Sequence, residues 1–241
     1  NNIEEYYNYI NKQFNDGVTL FQVQMRENEL YFDQIIENDY IRTKFLGERA
    51  ILEAVNNDGL KAKIMRAGNL MSRKEDGEFQ INFITNGFMR SLRAYKVLGQ
   101  FPMGLMHSFA EFSPIDSTAQ AIVTLMHCKE DYTIFHTYNS HKIYMSDVIY
   151  SMNKYGFNIQ IVSDGEFAQT ISNAEKDDNL SDSVLGLVAY NSSDEKPRYE
   201  VASDNRFTAE VLYRMGYKWP IIDDSYLLKA IEALDALDFF A

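Results

Sequence analysis

Between Asp39 and Leu70 the chain reads as one long amphipathic helix, a break, and a short buried strand, and this succession narrows the fold more than any other stretch. Ile41, Phe45, Leu46, Ile51, Leu52 and Val55 recur near a 3.6-residue period, while Arg42, Glu48, Arg49 and Glu53 face the other way. Asn57-Asp58-Gly59 supplies the stop, with Gly59 suited to the left-handed position after a helix end. Lys63-Ile64-Met65-Arg66-Ala67 is an apolar run of strand length, closed by Gly68. The alternation recurs later: Tyr132 to Thr137 reads as a strand, a helix capped by Ser146 runs to Tyr155, and Phe157 to Val162 alternates as a strand. Such a pattern predicts α/β layering.

Tyr40 and Lys44 lie four apart at the start of the long helix, so a phenol and an ammonium share one face. A carbonyl that receives a hydride becomes an oxyanion that must be protonated. A tyrosine hydroxyl, with a free pKa of about 10, suits that task at neutral pH only if a nearby cation favours its anion. A lysine one turn away supplies the cation and can hold a sugar hydroxyl of a nicotinamide cofactor. Tyr138/Lys142 and Tyr150/Lys154 repeat the spacing, but only the first pair opens a long helix that feeds a strand.

Five blocks occur in order: Asn38-Asp-Tyr40-Ile-Arg-Thr-Lys44-Phe-Leu-Gly-Glu48; Arg66-Ala-Gly68-Asn69-Leu70; Arg73 with Asp76-Gly-Glu-Phe-Gln80-Ile-Asn82; Phe112-Ser-Pro-Ile-Asp116; and Ile134-Phe-His136. Together they resemble the thioester reductase domains that end nonribosomal peptide synthetases, in the extended short-chain dehydrogenase/reductase superfamily. The likeness runs from about residue 29 to near Phe240, with residues 173–200 poorly matched. It implies an α/β fold: the C-terminal part of a Rossmann-type parallel sheet over residues 1–139, and a mostly helical substrate-binding subdomain over 140–241. It also implies NADPH as cofactor, Tyr40 and Lys44 as catalytic residues, and Lys44, Gly68, Asn69 and Leu70 at the cofactor. The implied partner is an upstream peptidyl carrier protein whose phosphopantetheine arm holds the substrate, released as aldehyde or alcohol. A fatty-acyl or carboxylic-acid-type thioester reductase shares these residues; a truncated, non-catalytic docking module is the alternative of another class.

A dinucleotide fold needs a Gly-x-Gly-x-x-Gly type of turn so that backbone amides reach the pyrophosphate. None of the 12 glycines makes one; the resemblance implies that the turn lies upstream of Asn1, well before the Tyr40 helix, and so that this chain alone binds the cofactor weakly. The family's serine or threonine partner has no good match, Thr19 lying too near Tyr40. A net charge of −12 argues against a nucleic-acid partner and leaves Arg73, Lys74 and Arg90 as basic candidates for carrier docking. No apolar run approaches a membrane span. The single cysteine, Cys128, fits a reducing, cytoplasmic compartment and reads as an inert core thiol on an apolar helix face. The histidines at 107, 127, 136 and 141 lack metal-ligand spacing, and His136 reads as a satisfied strand residue.

Remaining segments carry local expectations. Residues 3–14 keep helical spacing, Val18 to Gln24 is a possible strand, and Phe83 to Leu98 reads as a helix. Phe101 to His107 is loop-like, and Met71, Met103 and Met106 pack. Ser113-Pro114-Ile115-Asp116 reads as a helix start, with serine as cap and proline first. Asn173–Asp182 and Asn191–Lys196 read as polar loops, and 207–215 and 225–240 as helices, the last with Leu227, Leu228, Ile231, Leu234 and Leu237 on one side.

Overall fold

The computed structural model describes residues 22–25, 39–79, 86–129, 133–176, 180, 184, 187 and 200–240. In chain order the elements are β1 (Gln22–Met25), α1 (Asp39–Asp58), β2 (Ile64–Ala67), β3 (Leu70–Met71), α2 (Gly87–Leu98), β4 (Gln100–Pro102), β5 (Phe109–Ala110), β6 (Ser113–Pro114), α3 (Ile115–Met126), β7 (Ile134–Thr137), β8 (Ile143–Tyr144), α4 (Met145–Tyr155), β9 (Gln160–Val162), α5 (Asp164–Ala174), β10 (Glu200–Ser203), α6 (Arg206–Arg214) and α7 (Asp224–Asp235). Among the described residues β1 pairs with β10, β2 with β7, β3 with β6 and β4 with β9, all parallel, and β5 with β8 antiparallel. Parallel strands joined by helical crossovers make this an α/β fold. The helix expected over 3–14, Thr19 and the loop Asn191–Lys196 lie outside the described residues.

Two compact units divide the chain. The first gathers residues 1–67, 121–137 and 197–218; the second gathers 68–120, 138–196 and 219–241.

In the first unit, β2 and β7 align Arg66 with His136 and Met65 with Phe135. Every residue of β7 is buried, as befits a strand covered on both faces. Phe135 stacks on Phe207 of α6 at 6.1 Å, and Thr208 of the same helix lies buried against the His136 amide at 3.0 Å. Helix α1 ends as expected, Gly59 taking φ of 68°. Its apolar stripe is shallower than the periodicity suggests: Phe45 is buried, Leu52 and Val55 half-buried, Leu46 and Ile51 exposed. Cys128 corrects the reading of a core thiol. Helix α3 stops at Met126, and the half-buried sulfur accepts from Lys63 Nζ at 3.3 Å.

The second unit holds one apolar core, built by Met89, Leu92 and Tyr95 of α2, Phe101 of β4, Ile149 and Met152 of α4, and Leu227, Ile231 and Leu234 of α7. Each such side chain contributes about 1.5–3 kcal/mol by leaving water. Asn86 caps α2 by accepting from the Met89 amide at 3.1 Å. Four expectations are corrected here. Gln100–Pro102 is a strand rather than loop, because it pairs with Gln160–Val162. Helix α4 starts at Met145 rather than behind a Ser146 cap, and the Asp147 carboxylate accepts from the Tyr144 amide at 3.0 Å. Met103 is exposed. Leu237 is 56% exposed, since α7 ends at Asp235 and the apolar period no longer applies.

Candidate active site

Tyr40 stands second in α1, Lys44 follows one turn on, and Glu48 one turn further, a stripe along the helix. Lys44 is exposed; the Tyr40 side chain lies outside the described residues. Glu48 shows what this stretch of the helix meets. Its carboxylate receives Arg66 of β2 at 3.0 Å from Nε and 2.7 Å from Nη2, a two-pronged, charge-assisted pair. The remaining prong, Arg66 Nη1, lies 2.8 Å from His136 Nε2. A guanidinium only donates, so Nε2 accepts, and Nδ1 carries the hydrogen that the Asp204 carbonyl accepts at 2.6 Å. Burial first, then the Arg66 charge, pushes the His136 pKa down, so this imidazole is neutral. His136 is a hydrogen-bonded strand residue.

Beyond β2 the chain turns through Gly68-Asn69 into β3. Glycine at 68 has a steric cause: a Cβ there would lie 2.5 Å from Tyr138 Cβ and closer still to Glu111 Oε2. The Asn69 backbone is held on both sides. Its amide donates to Glu111 Oε2 at 2.5 Å, and its carbonyl accepts from the Ser113 amide at 3.0 Å. Ser113 Oγ donates to Glu111 Oε1 and accepts from the Asn139 amide at 2.8 Å. Asn139 is fixed in turn, its Nδ2 donating to the Pro220 carbonyl at 3.0 Å. Burial raises the Glu111 pKa, opposed by the Ser113 and Asn69 hydrogen bonds. The Asn69 residue is exposed, so its carboxamide is the polar group this turn offers outward. Leu70 is half-buried at the start of β3.

Ser113 therefore does not cap α3, as the sequence suggests. Parallel pairing with Leu70–Met71 takes Ser113–Pro114 into a strand, and the helix begins at Ile115. Asp116, in its first turn, accepts from the Lys74 and Glu75 amides at 3.0 and 3.3 Å and so ties down the 73–78 loop. Arg73, one of the docking candidates, pairs with Asp76 and Glu78. The Tyr226 hydroxyl donates to the Ser72 carbonyl at 2.8 Å; burial, then the Asp116 and Glu111 charges, raises its pKa. The other two Tyr/Lys spacings have separate fates. Tyr138 is buried against Gly68, and Tyr150 is exposed on α4 while Lys154 pairs with Asp224 at 2.5 Å. Among the described residues no group of three or more His, Cys, Asp or Glu side chains is placed to hold a metal ion.

Sequence reasoning missed the Glu48–Arg66–His136 cluster and the Glu111–Ser113–Asn139 clamp. One signal for the clamp was present: Glu111 is an acid inside the otherwise apolar run Phe109-Ala-Glu-Phe112.

The sequence model of the male sterility protein family, an NAD-binding family, matches residues 4–122. The fold superposes on a thiolation-reductase di-domain from an archaeal nonribosomal peptide synthetase with a TM-score of 0.78 at 32% identity, covering 91% of this chain and 45% of that one. The chain is similar to part of the reductase domains that nonribosomal peptide synthetases carry. A second structure of the reductase family, from the Aureusimine biosynthetic cluster, gives a TM-score of 0.72 at 25% identity over 90% of this chain and 55% of that one. The large subunit of L-2-aminoadipate reductase from Candida glabrata is 23% identical over 181 residues, which is 72% of this chain and 13% of that protein. The chain thus spans about half the length of the solved reductase domains it matches. No described helix of this chain is long and apolar enough to cross a membrane.

Proposed function

We propose that the chain is part of an NADPH-dependent reductase that releases an acyl or peptidyl group from the phosphopantetheine thioester of a carrier protein, as an aldehyde or alcohol. The observation that carries this reading is the stripe of α1 on which Lys44 precedes Glu48, whose carboxylate holds Arg66 of β2, the strand followed in sequence by Gly68-Asn69. NADPH, when bound, supplies the hydride for the thioester carbonyl carbon. Tyr40 gives its proton to the oxygen that becomes charged, and the thiol of the arm leaves as the carbon–sulfur bond breaks. Lys44 favours the tyrosine anion and holds a ribose hydroxyl. Gly68, Asn69 and Leu70 line the nicotinamide and thioester end. The residues present fit that end of the cofactor: an exposed carboxamide stands on a backbone clamped at both its amide and its carbonyl. The resemblance to an aminoadipate reductase favours, as a second reading, a thioester made from a small carboxylic acid.

The test is turnover of acyl-loaded carrier protein by the reductase that contains this chain, followed through NADPH consumption with the aldehyde trapped. Hydrolysis of the thioester without NADPH consumption would overturn the reading, and the acyl groups accepted would separate peptidyl from small-acid substrates.

A further inference from the structure

We propose that Glu111 is a positioning residue: with Ser113 and Asn139 behind it, its carboxylate fixes the Asn69 backbone so that the Asn69 carboxamide is presented at one set place. This rests on the reading above, in which the Gly68–Leu70 turn meets the thioester and cofactor.

Three independent features converge on this one carboxylate. Both its oxygens are engaged, Oε2 by the Asn69 amide and Oε1 by Ser113 Oγ, so it stands as a fixed acceptor rather than as a base open to substrate. The turn gives up a side chain at residue 68 to admit it, since a Cβ there would collide with Glu111 Oε2. The groups behind it form a continuous relay: the Asn139 amide reaches Ser113 Oγ at 2.8 Å, and the Asn139 side chain reaches the Pro220 carbonyl at 3.0 Å. A half-buried acid is a costly way to satisfy one amide. The cost is understandable when the amide belongs to a residue whose placement matters. With its amide and carbonyl both bound, Asn69 cannot rotate its peptide groups, and only its side chain faces outward. Misplacement of a contacting group by about 1 Å can cost on the order of 10²-fold in rate, which makes such a clamp worth its charge.

The test uses the whole reductase with carrier-bound thioester, and variants Glu111→Ala, Glu111→Gln, Asn69→Ala and the double variant Glu111→Ala/Asn69→Ala. Glu111→Ala should lower kcat by roughly 10-fold or more with KM changed little, since the clamp acts on orientation. Glu111→Gln keeps an oxygen for the Asn69 amide and should restore most of the rate. The double variant should be no worse than Asn69→Ala alone, the non-additivity expected of residues acting as one unit. A readout independent of turnover is amide hydrogen exchange over residues 68–71 in the unliganded protein. Exchange at Asn69 should speed up in Glu111→Ala and stay near the parent rate in Glu111→Gln. Unchanged exchange at Asn69 in Glu111→Ala, or full additivity in the double variant, overturns the proposal. If Glu111→Ala does not fold, Glu111→Gln and Ser113→Ala decide by the same exchange measurement. Should the parent enzyme reduce no thioester at all, the functional reading falls, and the exchange data judge the clamp by themselves.

Discussion

Arg66 Nη1 donates to His136 Nε2 at 2.8 Å, so the imidazole cannot gain a proton without setting donor against donor. Burial, reinforced by that guanidinium, lowers the pKa of His136 in the folded protein. The unfolded chain takes up its proton near the ordinary value of about 6.5, the folded chain only at lower pH. Between those two values the unfolded state binds more protons, so stability falls as pH falls through that window. Urea unfolding from about pH 7.5 down to about pH 5.5 should show the midpoint dropping, and His136→Gln should flatten the dependence. An unchanged slope in that variant would assign the effect to other groups.

Two glycines offer opposite outcomes for the same substitution. Gly68→Ala drives a methyl into Glu111 and the Tyr138 Cβ, the latter tied to backbone, and should destabilise by about 2 kcal/mol. Gly47 lies inside α1 with nothing within 4 Å of its missing Cβ, and Gly47→Ala should stabilise by about 0.5–1 kcal/mol. Thermal or denaturant unfolding of the two variants checks both signs.

The three Tyr/Lys spacings should separate in kinetics. Tyr40→Phe is expected to slow reduction by about 10²-fold, the usual size of a general acid contribution, with folding unchanged. Tyr150→Phe alters an exposed residue of α4 and should be nearly silent. Tyr138→Phe keeps the Cβ that packs on Gly68 and should act mildly. Equal losses in all three would remove the support for Tyr40.

Carrier docking is best tested at Lys74. Arg73 already holds Asp76 and Glu78, so reversing its charge would disturb the loop as well as any partner. Lys74 is anchored through its backbone amide on Asp116, and its side chain is exposed. Lys74→Glu should raise KM for carrier-bound thioester and leave turnover of a small pantetheine thioester nearly unchanged. Equal effects on the two substrates would place the residue in the fold or the chemistry.

Local signals were legible where a single segment decides its own structure. The α1 helix with its Gly59 stop, and the apolar strands Ile64–Ala67 and Ile134–Thr137, follow from spacing and turn chemistry. What spacing could not reveal was pairing across long separations. Ser113 looks like a cap until Leu70–Met71 claims it for a strand, and Gln100–Pro102 looks like loop until Gln160–Val162 lies beside it. The same blindness hid both polar clusters: Glu48, Arg66 and His136 meet only because β2 and β7 align residue 66 with 136. Glu111 meets Asn69 only through the β3–β6 register.

The last helix carries a consequence for the order in which the chain matures. Lys229 Nζ donates to the Lys74 and Glu75 carbonyls at 3.1 and 2.8 Å, Tyr226 holds the Ser72 carbonyl, and the Lys229 carbonyl presses against Gly77 so closely that a Cβ there would lie at 2.5 Å. The three hydrogen bonds span 154–155 residues of sequence, so closing them is slow compared with local helix formation. On the ribosome the loop after Asn69 is made early and can meet Asp116 first, but its contacts with the last helix wait until α7 emerges. A segment from the first third of the chain is thus among the last to settle.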